Sequence, residues 1–485
     1  MTAPLTVVIF GASGDLTARK LIPALYRLDV LGLLPDETKI VGVSRREYTD
    51  EVFRETIQPM VKQSSGISWL QGPWTQFAKR ISYVSADAEK PEGIQKLNAW
   101  LQNRENNQGG RRLYYLSVGP ELYPGIVTRL GEAGMNKEDG GYRRLIIEKP
   151  FGRDRRSARD LNNILHQHFT EDQIYRIDHY LGKDTVQNIM VFRFANTLFE
   201  PLWNHKYIDH VQITVSEKVV IGKRGAFYDT TGVLRDMFQS HILQVMAMLA
   251  MEYPTRLTAE RIRNEKVKVL ESIRIPTMED AKKSMVLGQY TGYRKEPGVG
   301  ANSKTPTYAA VKLMIENWRW QGIPFYLRSG KGLNARYSEV VIQFQRPPHL
   351  MFPLQKGHSL ESNRITLVLQ PNDSIRLNFQ TKVPSVDSYR LEPQDLSFVY
   401  GQAYQGQQLP EAYERLLLDA IQGEASLFMR SDEIERAWEI MDPIIAASEL
   451  ADAPDPNEYA INSQGPECAN GLFSEGQSWQ PIVPN

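Results

Sequence analysis

The first third of the chain alternates short runs of consecutive apolar residues with longer stretches in which apolar residues recur every three or four positions. The short runs predict β-strands at Leu5–Phe10, Lys39–Ser44, Ile81–Ala86, Leu113–Val118, Leu145–Glu148 and Ile174–Ile177. The longer stretches predict helices near residues 15–31, 50–62, 92–103, 121–133 and 154–166. Because strands that alternate with helices form a parallel sheet covered on both faces, residues 1–177 are predicted to form an α/β domain.

Residues 178–485 have a different pattern, in which strand-like runs follow one another with less helix between them. The predicted strands are Val211–Val215, Ala310–Ile315, Val340–Phe344, Ile365–Leu369 and Ile375–Phe379. The predicted helices lie near residues 181–192, 231–251, 257–270, 410–421 and 431–449. Consecutive strands indicate a large, mostly antiparallel sheet in an α+β domain. Gly, Pro and Asn residues predict a surface loop at Lys295–Thr305 and an irregular tail beyond Pro454.

Composition narrows the classes of protein that this chain can belong to. It has 57 Lys and Arg residues against 57 Asp and Glu residues, which argues against nucleic acid or an anionic membrane as a partner. The single cysteine, Cys468, excludes an intrachain disulfide and a Cys-based zinc site, and it favours the cytoplasm. We expect no signal peptide, and the longest apolar stretch, at 242–251, is about half a membrane span.

A glycine-containing turn joins the first predicted strand to the next helix. Its residues are Gly11, Ala12, Ser13, Gly14, Asp15, Leu16 and Thr17. Gly11 suits a tight turn and Gly14 lets the backbone approach a phosphate, while the helix N-terminus offers free N–H groups to that phosphate. The spacing differs from the usual GxGxxG, but its position after the first strand of a βαβ unit favours a dinucleotide site over a purely structural turn.

The ends of the next two strands bear on which dinucleotide binds. The strand Lys39–Ser44 leads into Arg45 and Arg46, where an NAD-preferring site usually carries an acid. Two guanidinium groups suit a 2′-phosphate, so this position predicts NADP, although exposed arginines on a loop are also common. Asp87 follows the third strand, where its carboxylate either caps the next helix or approaches the adenosine.

Lys149 follows the fifth predicted strand, at the edge of the sheet where ligands gather in open α/β folds. The spacing alone favours neither of two interpretations of Lys149. In one, Lys149 meets both a nicotinamide coenzyme and a substrate. In the other, it extends its ammonium group into solvent from the protein surface.

The segment after the sixth strand contains Asp178, His179, Tyr180 and Lys183. His179 and Lys183 are four residues apart and are therefore expected on one face of a helix. With Tyr180 beside them, they suit a phosphate cradle at a helix N-terminus. Asp178 immediately precedes them, where its carboxylate could orient the imidazole of a histidine from another part of the chain. The alternative is an ordinary capped helix start with solvated charges.

The stretch Thr230–Met251 has few polar positions and is predicted to be a mostly buried helix. Asp236 and His241 lie within it, and both are costly to bury unless they are paired. A buried histidine is more often a satisfied core residue. A histidine held by a carboxylate is instead the usual general base, because the carboxylate fixes its tautomer and stabilises the imidazolium.

Taken together, these segments resemble the glucose-6-phosphate dehydrogenase family. The resemblance extends from about residue 5 to about residue 450 and is carried by GASGDLT, EKPFG, RIDHYLGK, LRDMFQSHILQ, NWRWQGIPFYLR, RSGKGLNAR, LQPND and LPEAYERLLLD. It implies a Rossmann coenzyme domain at 1–177 and, at 178–485, an α+β domain whose antiparallel sheet forms a homodimer or a dimer of dimers. The implied reaction oxidises C1 of glucose 6-phosphate to 6-phosphogluconolactone, with hydride transfer to NADP.

The same resemblance implies roles for individual residues. His241 would take the proton of the C1 hydroxyl, and Asp178 would stabilise the protonated histidine. The implied substrate residues are Lys149, His179, Tyr180, Lys183, Glu217, Asp236, Lys331, Arg336 and Gln370. The implied coenzyme residues are Gly11, Ala12, Ser13, Gly14, Asp15, Leu16, Thr17, Arg45, Arg46, Asp87 and Lys149. No metal is implied, because hydride transfer needs only the base and the oriented nicotinamide.

Two departures from the family pattern sharpen the expectation. Some members carry a second, structural NADP lined by basic and aromatic residues, whereas the matching region here has Val368, Arg376 and Asn378, so we expect one coenzyme. The single cysteine excludes the intrachain thiol switch of some photosynthetic members. Two alternatives stay open: an NADP-binding regulatory protein of the same fold without turnover, and a dehydrogenase of another phosphorylated sugar.

Overall fold

The computed structural model describes residues 4–66, 69–105, 109–352, 360–384, 390–404 and 410–483. The chain divides into two compact units, each assembled from separated segments. The first comprises Met1–Lys183, Pro254–Asn264 and Leu409–Glu435, and the second comprises Asp184–Tyr253, Glu265–Gln408 and Arg436–Asn485. This division differs from two contiguous domains at 1–177 and 178–485, because a late strand of the chain joins the sheet of the first unit.

The β-strands of the described residues are numbered in chain order. They are β1 (Leu5–Phe10), β2 (Lys39–Ser44), β3 (Ile81–Ser85), β4 (Arg111–Leu116), β5 (Arg143–Glu148), β6 (Ile174–Ile177), β7 (Ile208–Ser216), β8 (Met285–Tyr290), β9 (Tyr308–Met314), β10 (Pro324–Gly330), β11 (Tyr337–Phe344), β12 (Arg364–Gln370), β13 (Ser374–Lys382), β14 (Leu391–Val399), β15 (Phe428–Met429) and β16 (Asn457–Tyr459).

The α-helices are numbered in the same way. They are α1 (Ile22–Val30), α2 (Asp50–Ser64), α3 (Gln71–Ala78), α4 (Pro91–Arg104), α5 (Tyr123–Glu132), α6 (Arg155–His168), α7 (Asp184–Phe194), α8 (Gly225–Val233), α9 (Leu243–Ala250), α10 (Ala259–Ser272), α11 (Met278–Ser284), α12 (Tyr400–Ala403), α13 (Ala412–Gln422) and α14 (Ser431–Ser448). Two π-helices, Thr17–Leu21 and Leu234–Ile242, run directly into α1 and α9. None of the described helices is long and apolar enough to cross a membrane.

The sheet of the first unit has the order β15-β6-β5-β4-β1-β2-β3 among the described strands. Strands β1 to β6 run parallel, as predicted, and β15 pairs antiparallel to β6. Every residue of β1 is buried, because helices cover both faces of the sheet. The strand order reverses between β1 and β4. In such a sheet a ligand binds outside the carboxyl ends of the strands at this reversal.

The sheet of the second unit has the order β14-β13-β12-β11-β7-β10-β9-β8-β16 among the described strands. Its pairs are antiparallel except β7 with β10 and β8 with β16, which confirms the prediction of a large, mostly antiparallel sheet. The hydrophobic pattern missed β8, β10, β14 and β16. The sequence of β14, LEPQDLSFV, has no continuous apolar run that would predict a strand. It forms a strand by pairing with β13 along its whole length.

Several helix predictions needed correction. The stretch 231–251 is not one regular helix but the end of α8, a π-helix and α9, with Gly232 in the left-handed region at φ 66°. Helix α3 has the sequence QGPWTQFA, whose Gly and Pro residues hid it from the pattern. The loop Lys295–Thr305 is confirmed apart from a short 3₁₀ turn that reaches Lys295. The tail is largely irregular but contains β16 and a 3₁₀ turn at Glu467–Leu472.

Candidate functional site

A cleft of about 280 Å³ opens at the carboxyl ends of β1, β2 and β3 in the first unit. Five of the residues predicted to bind a coenzyme line it: Gly11, Ser13, Arg45, Arg46 and Asp87. They come from three separate strand ends, which parallel pairing brings to one edge of the sheet. Its position agrees with the predicted dinucleotide site.

The glycine turn at the start of this cleft is held by its backbone. The N–H groups of Gly11 and Ala12 both donate to the carbonyl of Val43, at 2.9 and 3.2 Å, and that of Gly14 donates to Gly11 at 2.9 Å. Gly11 has φ 76°, and a Cβ built on it would lie 2.0 Å from the carbonyl oxygen of Ser117. Only glycine fits this position.

The remaining residues of the predicted turn do not line the cleft. Ala12 and Thr17 are buried, and the Thr17 hydroxyl donates to Ser117 Oγ at 3.3 Å. Asp15 is exposed and pairs with Arg19 at 3.7 Å. Leu16 immediately precedes the π-helix. Among the residues of the turn, Gly11 and Ser13 line the cleft.

The charged residues of the cleft suit a phosphorylated dinucleotide. Arg45 and Arg46 are both exposed where β2 ends, and the start of the first helix provides free N–H groups. Asp87 does not cap helix α4, whose N-cap residue is Lys90. The Asp87 carboxylate accepts the N–H of Glu89 at 3.2 Å in the turn before α4, and it also lines the cleft. The glycine turn, two guanidinium groups and a carboxylate therefore fit NADP.

Two hydroxyl groups of this cleft region escaped the sequence analysis. Ser44, the last residue of β2, lies 3.1 Å from Ser13 through its Oγ. The Tyr83 phenol of β3 lies 2.7 Å from that same Ser44 Oγ. Ser44 and Tyr83 are close because β2 pairs with β3, so their contact could be predicted only once the strand order was known.

Lys149 follows the carboxyl end of β5, beside a partly buried carboxylate. Glu148 accepts hydrogen bonds from the hydroxyls of Tyr115 and, at 3.1 Å, Tyr413. Burial raises the pKa of Glu148, and these hydrogen bonds oppose the shift. Tyr413 belongs to α13, from the late segment of the first unit, so its contribution is not visible in the local sequence around Lys149.

The segment from Asp178 to Lys183 is a series of turns, and the prediction that His179 and Lys183 share a helical face is wrong. The Asp178 carboxylate accepts the N–H of Tyr180 at 2.9 Å, and its backbone carbonyl accepts that of Leu181 at 3.0 Å. An aspartate side chain that captures backbone N–H groups in this way competes with a helix. Helix α7 therefore begins only at Asp184.

The turn nevertheless gathers the three predicted phosphate-binding side chains. The Lys183 ammonium lies 3.8 Å from the centroid of the Tyr180 ring, and the rings of His179 and Tyr180 are 5.2 Å apart. Tyr180 is buried, while His179 and Lys183 are partly exposed. An ammonium, an imidazole and a phenol in one turn can bind a phosphate monoester.

An ion-pair cluster around a buried lysine forms at one edge of the second sheet. Glu217 follows β7 and Lys331 follows β10, and these neighbouring parallel strands end together at the pair Ser216–Gly330. Lys331 forms one ion pair with Glu217 and a second with Asp236 at 3.3 Å. The Lys331 side chain is only 4% exposed, and its ammonium group pairs with both carboxylates.

Asp236 and His241 both lie on the π-helix Leu234–Ile242, which packs against β7 and β10. A π-helix closes hydrogen bonds between residues five apart, so two residues with this spacing come to the same side. In a regular α-helix they would diverge. His241 is 1% exposed and therefore lies away from bulk water.

Arg336 and Gln370 extend the same edge of the sheet. Arg336 is exposed just before β11, and Gln370 ends β12 and donates to Ser338 Oγ at 2.9 Å. Because β11 runs antiparallel to both β7 and β12, the start of β11 lies beside the ends of those two strands. The structure therefore places Glu217, Lys331, Arg336 and Gln370 along one edge.

Tyr228 is a further residue near this cluster that the sequence analysis missed. It is 3% exposed, and its ring centroid lies 5.6 Å from the Lys331 ammonium. Burial raises the pKa of Tyr228 well above its usual value, and the Asp236 carboxylate adds to the shift. Tyr228 precedes the buried helical stretch in the segment GAFYD, whose pattern carries no chemical signal of its own.

Comparison with known proteins bears on the identity of both units. Residues 8–188 match the family model "Glucose-6-phosphate dehydrogenase, NAD binding domain", and residues 190–480 match "Glucose-6-phosphate dehydrogenase, C-terminal domain". Glucose-6-phosphate 1-dehydrogenase of Aggregatibacter actinomycetemcomitans is 42% identical over 98% of this chain and 97% of its own.

Solved structures agree with these matches. A glucose-6-phosphate dehydrogenase in complex with its substrate glucose-6-phosphate is similar with a TM-score of 0.92 at 33% identity, over 99% of both chains. The glucose-6-phosphate 1-dehydrogenase of Mycobacterium avium gives a TM-score of 0.87 at 33% identity, over 100% of both chains. The chain therefore belongs to the glucose-6-phosphate dehydrogenase family.

Proposed function

We propose that this chain oxidises D-glucose 6-phosphate to 6-phospho-D-glucono-1,5-lactone with NADP as the hydride acceptor. The observation that carries the proposal is membership of the family along nearly the whole chain. The burial of His241, the proposed base, supports it. Curated relatives named glucose-6-phosphate 1-dehydrogenase support this activity.

In the proposed reaction, His241 removes the proton of the C1 hydroxyl while a hydride leaves C1, so that a lactone carbonyl forms. NADP, when bound, supplies the acceptor for that hydride. A base with a pKa near neutrality is needed because hydride leaves C1 readily only as the oxygen loses its proton. Asp178 stabilises the imidazolium that results, as a carboxylate does for a general-base histidine.

The other residues position the two ligands. His179, Tyr180 and Lys183 bind the phosphate, and Glu217 and Asp236 accept hydrogen bonds from the sugar hydroxyls. Lys149 contacts both ligands. The remaining proposed substrate residues are Lys331, Arg336 and Gln370. The glycine turn, Arg45, Arg46 and Asp87 bind the coenzyme. The cleft and the two clusters described above support these roles.

Replacing Lys183 tests the phosphate site. In Lys183→Gln, loss of the ammonium removes a charge-assisted contact to the phosphate, and we expect the KM for glucose 6-phosphate to rise about 10- to 100-fold. Turnover of free glucose, which has no phosphate, is expected to stay within about twofold. Steady-state kinetics with both sugars measures the difference. An equal loss with both would contradict the assignment.

Replacing Arg45 tests the coenzyme assignment. Arg45→Ala should raise the KM for NADP about 10- to 100-fold, because a guanidinium–phosphate contact is lost. The KM for NAD should change little, since NAD has no 2′-phosphate. Initial rates with each coenzyme give the two KM values. A similar change in both would contradict the assignment of Arg45 to the 2′-phosphate.

The activity itself is tested by comparing three sugars with two coenzymes. We expect glucose 6-phosphate to give the highest kcat/KM, above galactose 6-phosphate and free glucose. A higher value with galactose 6-phosphate would identify a dehydrogenase of another phosphorylated sugar. NADP binding without turnover of any sugar would instead identify a regulatory protein of the same fold.

We further propose one NADP per chain, a homodimer or dimer of dimers formed through the second sheet, and a cytoplasmic location. The proposal of one coenzyme rests on the residues at positions that match those lining a second, structural NADP in some family members. Val368 is buried, and Asn378 donates to Asp395 at 2.9 Å. Titration of the purified protein with NADP gives the number of sites, and its mass in solution gives the oligomeric state.

A further inference from the structure

A hydroxyl network in the first unit ties the loop that carries the two arginines to the glycine turn. Ser44 Oγ lies 3.1 Å from Ser13 Oγ and accepts the N–H of Arg46 at 3.3 Å. The Tyr83 phenol lies 2.7 Å from Ser44 Oγ and donates to the backbone carbonyl of Arg46 at 2.7 Å. Side chains therefore hold both the backbone N–H and the carbonyl of Arg46.

The phenol at the centre of this network is itself fixed in position. Tyr83 is 7% exposed, and its ring packs against Phe53 and Tyr48 with centroids 4.8 and 5.4 Å apart. A tyrosine phenol carries its proton at neutral pH and can donate a hydrogen bond, and burial raises the pKa of Tyr83 further. The backbone of Arg46 is thus tied to an aromatic cluster formed by Tyr48, Phe53 and Tyr83.

The network links the two parts of the cleft that would contact a phosphorylated dinucleotide. Ser13 belongs to the turn that approaches the pyrophosphate, and Arg45 and Arg46 carry the charges suited to the 2′-phosphate. An exposed loop with two long side chains loses conformational freedom when it binds a ligand. A loop that is already held in place loses less conformational entropy on binding, and its affinity for the ligand is therefore higher.

We propose that Ser44 and Tyr83 are positioning residues that set the preference for NADP over NAD. They hold the arginine loop so that its guanidinium groups meet the 2′-phosphate, a group that NAD lacks. The inference rests on the proposed function in taking NADP as the coenzyme. It assigns a specificity role to two residues that touch the arginines only through backbone and hydroxyl contacts.

The test is Tyr83→Phe, which keeps the buried ring and removes the hydroxyl. Calorimetric titration of the purified full chain would measure the Kd for NADP and for NAD, and in parallel for adenosine 2′,5′-bisphosphate and 5′-AMP. We expect the Kd for NADP and for the bisphosphate to rise about fivefold, the effect of one lost hydrogen bond. The Kd for NAD and for 5′-AMP should change by less than about twofold.

Ser44→Ala should give the same pattern. Because both hydroxyls act in one network, the double variant should lose little more than the more affected single variant. With glucose 6-phosphate as substrate, the KM for NADP should rise while kcat stays close to that of the parent. Fully additive losses, or a fall in kcat at an unchanged KM, would overturn the proposal.

Tyr114→Phe is the matched control. Tyr114 is a buried tyrosine of the same sheet, and its phenol donates to the carbonyl of Met135 at 2.9 Å, outside the cleft. It should lower thermal stability as Tyr83→Phe does but leave the ratio of the two Kd values unchanged. Equal weakening of NADP and NAD by Tyr83→Phe, or a shifted ratio in Tyr114→Phe, would overturn the inference. A parent chain that binds NADP but does not oxidise glucose 6-phosphate would overturn only the proposed function.

Discussion

His241→Asn is expected to lower kcat about a thousandfold or more while leaving the affinity for glucose 6-phosphate nearly unchanged. Asparagine is close in size and polar, so it can occupy the buried position on the π-helix. It cannot accept a proton at neutral pH, and loss of a general base costs about 100- to 10,000-fold in rate. Steady-state kinetics with NADP, together with the Kd for the sugar phosphate, separates the two effects.

A second buried histidine of the same unit provides the control. His210, on β7, is 4% exposed and lies 2.7 Å from the carboxylate of Asp209. Glu217 follows the other end of the strand, roughly 23 Å away. His210→Asn should therefore leave kcat close to that of the parent, even if it lowers thermal stability. Turnover of His241→Asn within about tenfold of the parent would show that another group is the base.

Lys331→Gln is expected to lower kcat/KM for glucose 6-phosphate about 100-fold. The Lys331 ammonium is nearly buried between the carboxylates of Glu217 and Asp236. Removing one partner of a buried ion pair leaves uncompensated charge, which costs more than the pair itself contributes. The two carboxylates then repel each other where they are proposed to meet the sugar hydroxyls.

The loss in Lys331→Gln should appear both in kinetics and in thermal unfolding. Lys312→Gln is its control, because Lys312 lies on the adjacent strand β9, roughly 15 Å from the end of β10. We expect the control to keep its kcat/KM within about twofold. If Lys331→Gln retained the kcat/KM of the parent, the cluster would be structural only.

The six parallel strands of the first sheet could be predicted from the sequence because they are buried on both faces, whereas the two-residue strand β15 was not predicted. Three of its strands have the predicted bounds, including Leu5–Phe10, and continuous apolar runs leave little ambiguity. The second sheet was predicted to be large and mostly antiparallel, but only five of its nine described strands were predicted. Its strand β10 contains Arg328, which is buried by pairing and packing that no local pattern reveals.

The candidate site shows the same limit. Residue types and motif order pointed to Asp178, Lys183 and His241, but the local geometry differs from the predicted helices. The Asp178 carboxylate captures a backbone N–H and makes a turn, and the helix around His241 is a π-helix. The pairing of Lys331 with Glu217 needs two parallel strands that lie more than a hundred residues apart in sequence. Hydrophobic periodicity carries no information on such contacts.

The most direct test of the proposed reaction follows the hydride itself. Glucose 6-phosphate deuterated at C1 would be oxidised by the purified chain with NADP, and the reduced coenzyme would be analysed by mass spectrometry. Direct transfer from C1 predicts that the deuterium appears in the reduced nicotinamide and that the lactone carries none. Reduced coenzyme without deuterium, or no reduced coenzyme at all, would contradict the assignment of this chain as a glucose 6-phosphate dehydrogenase.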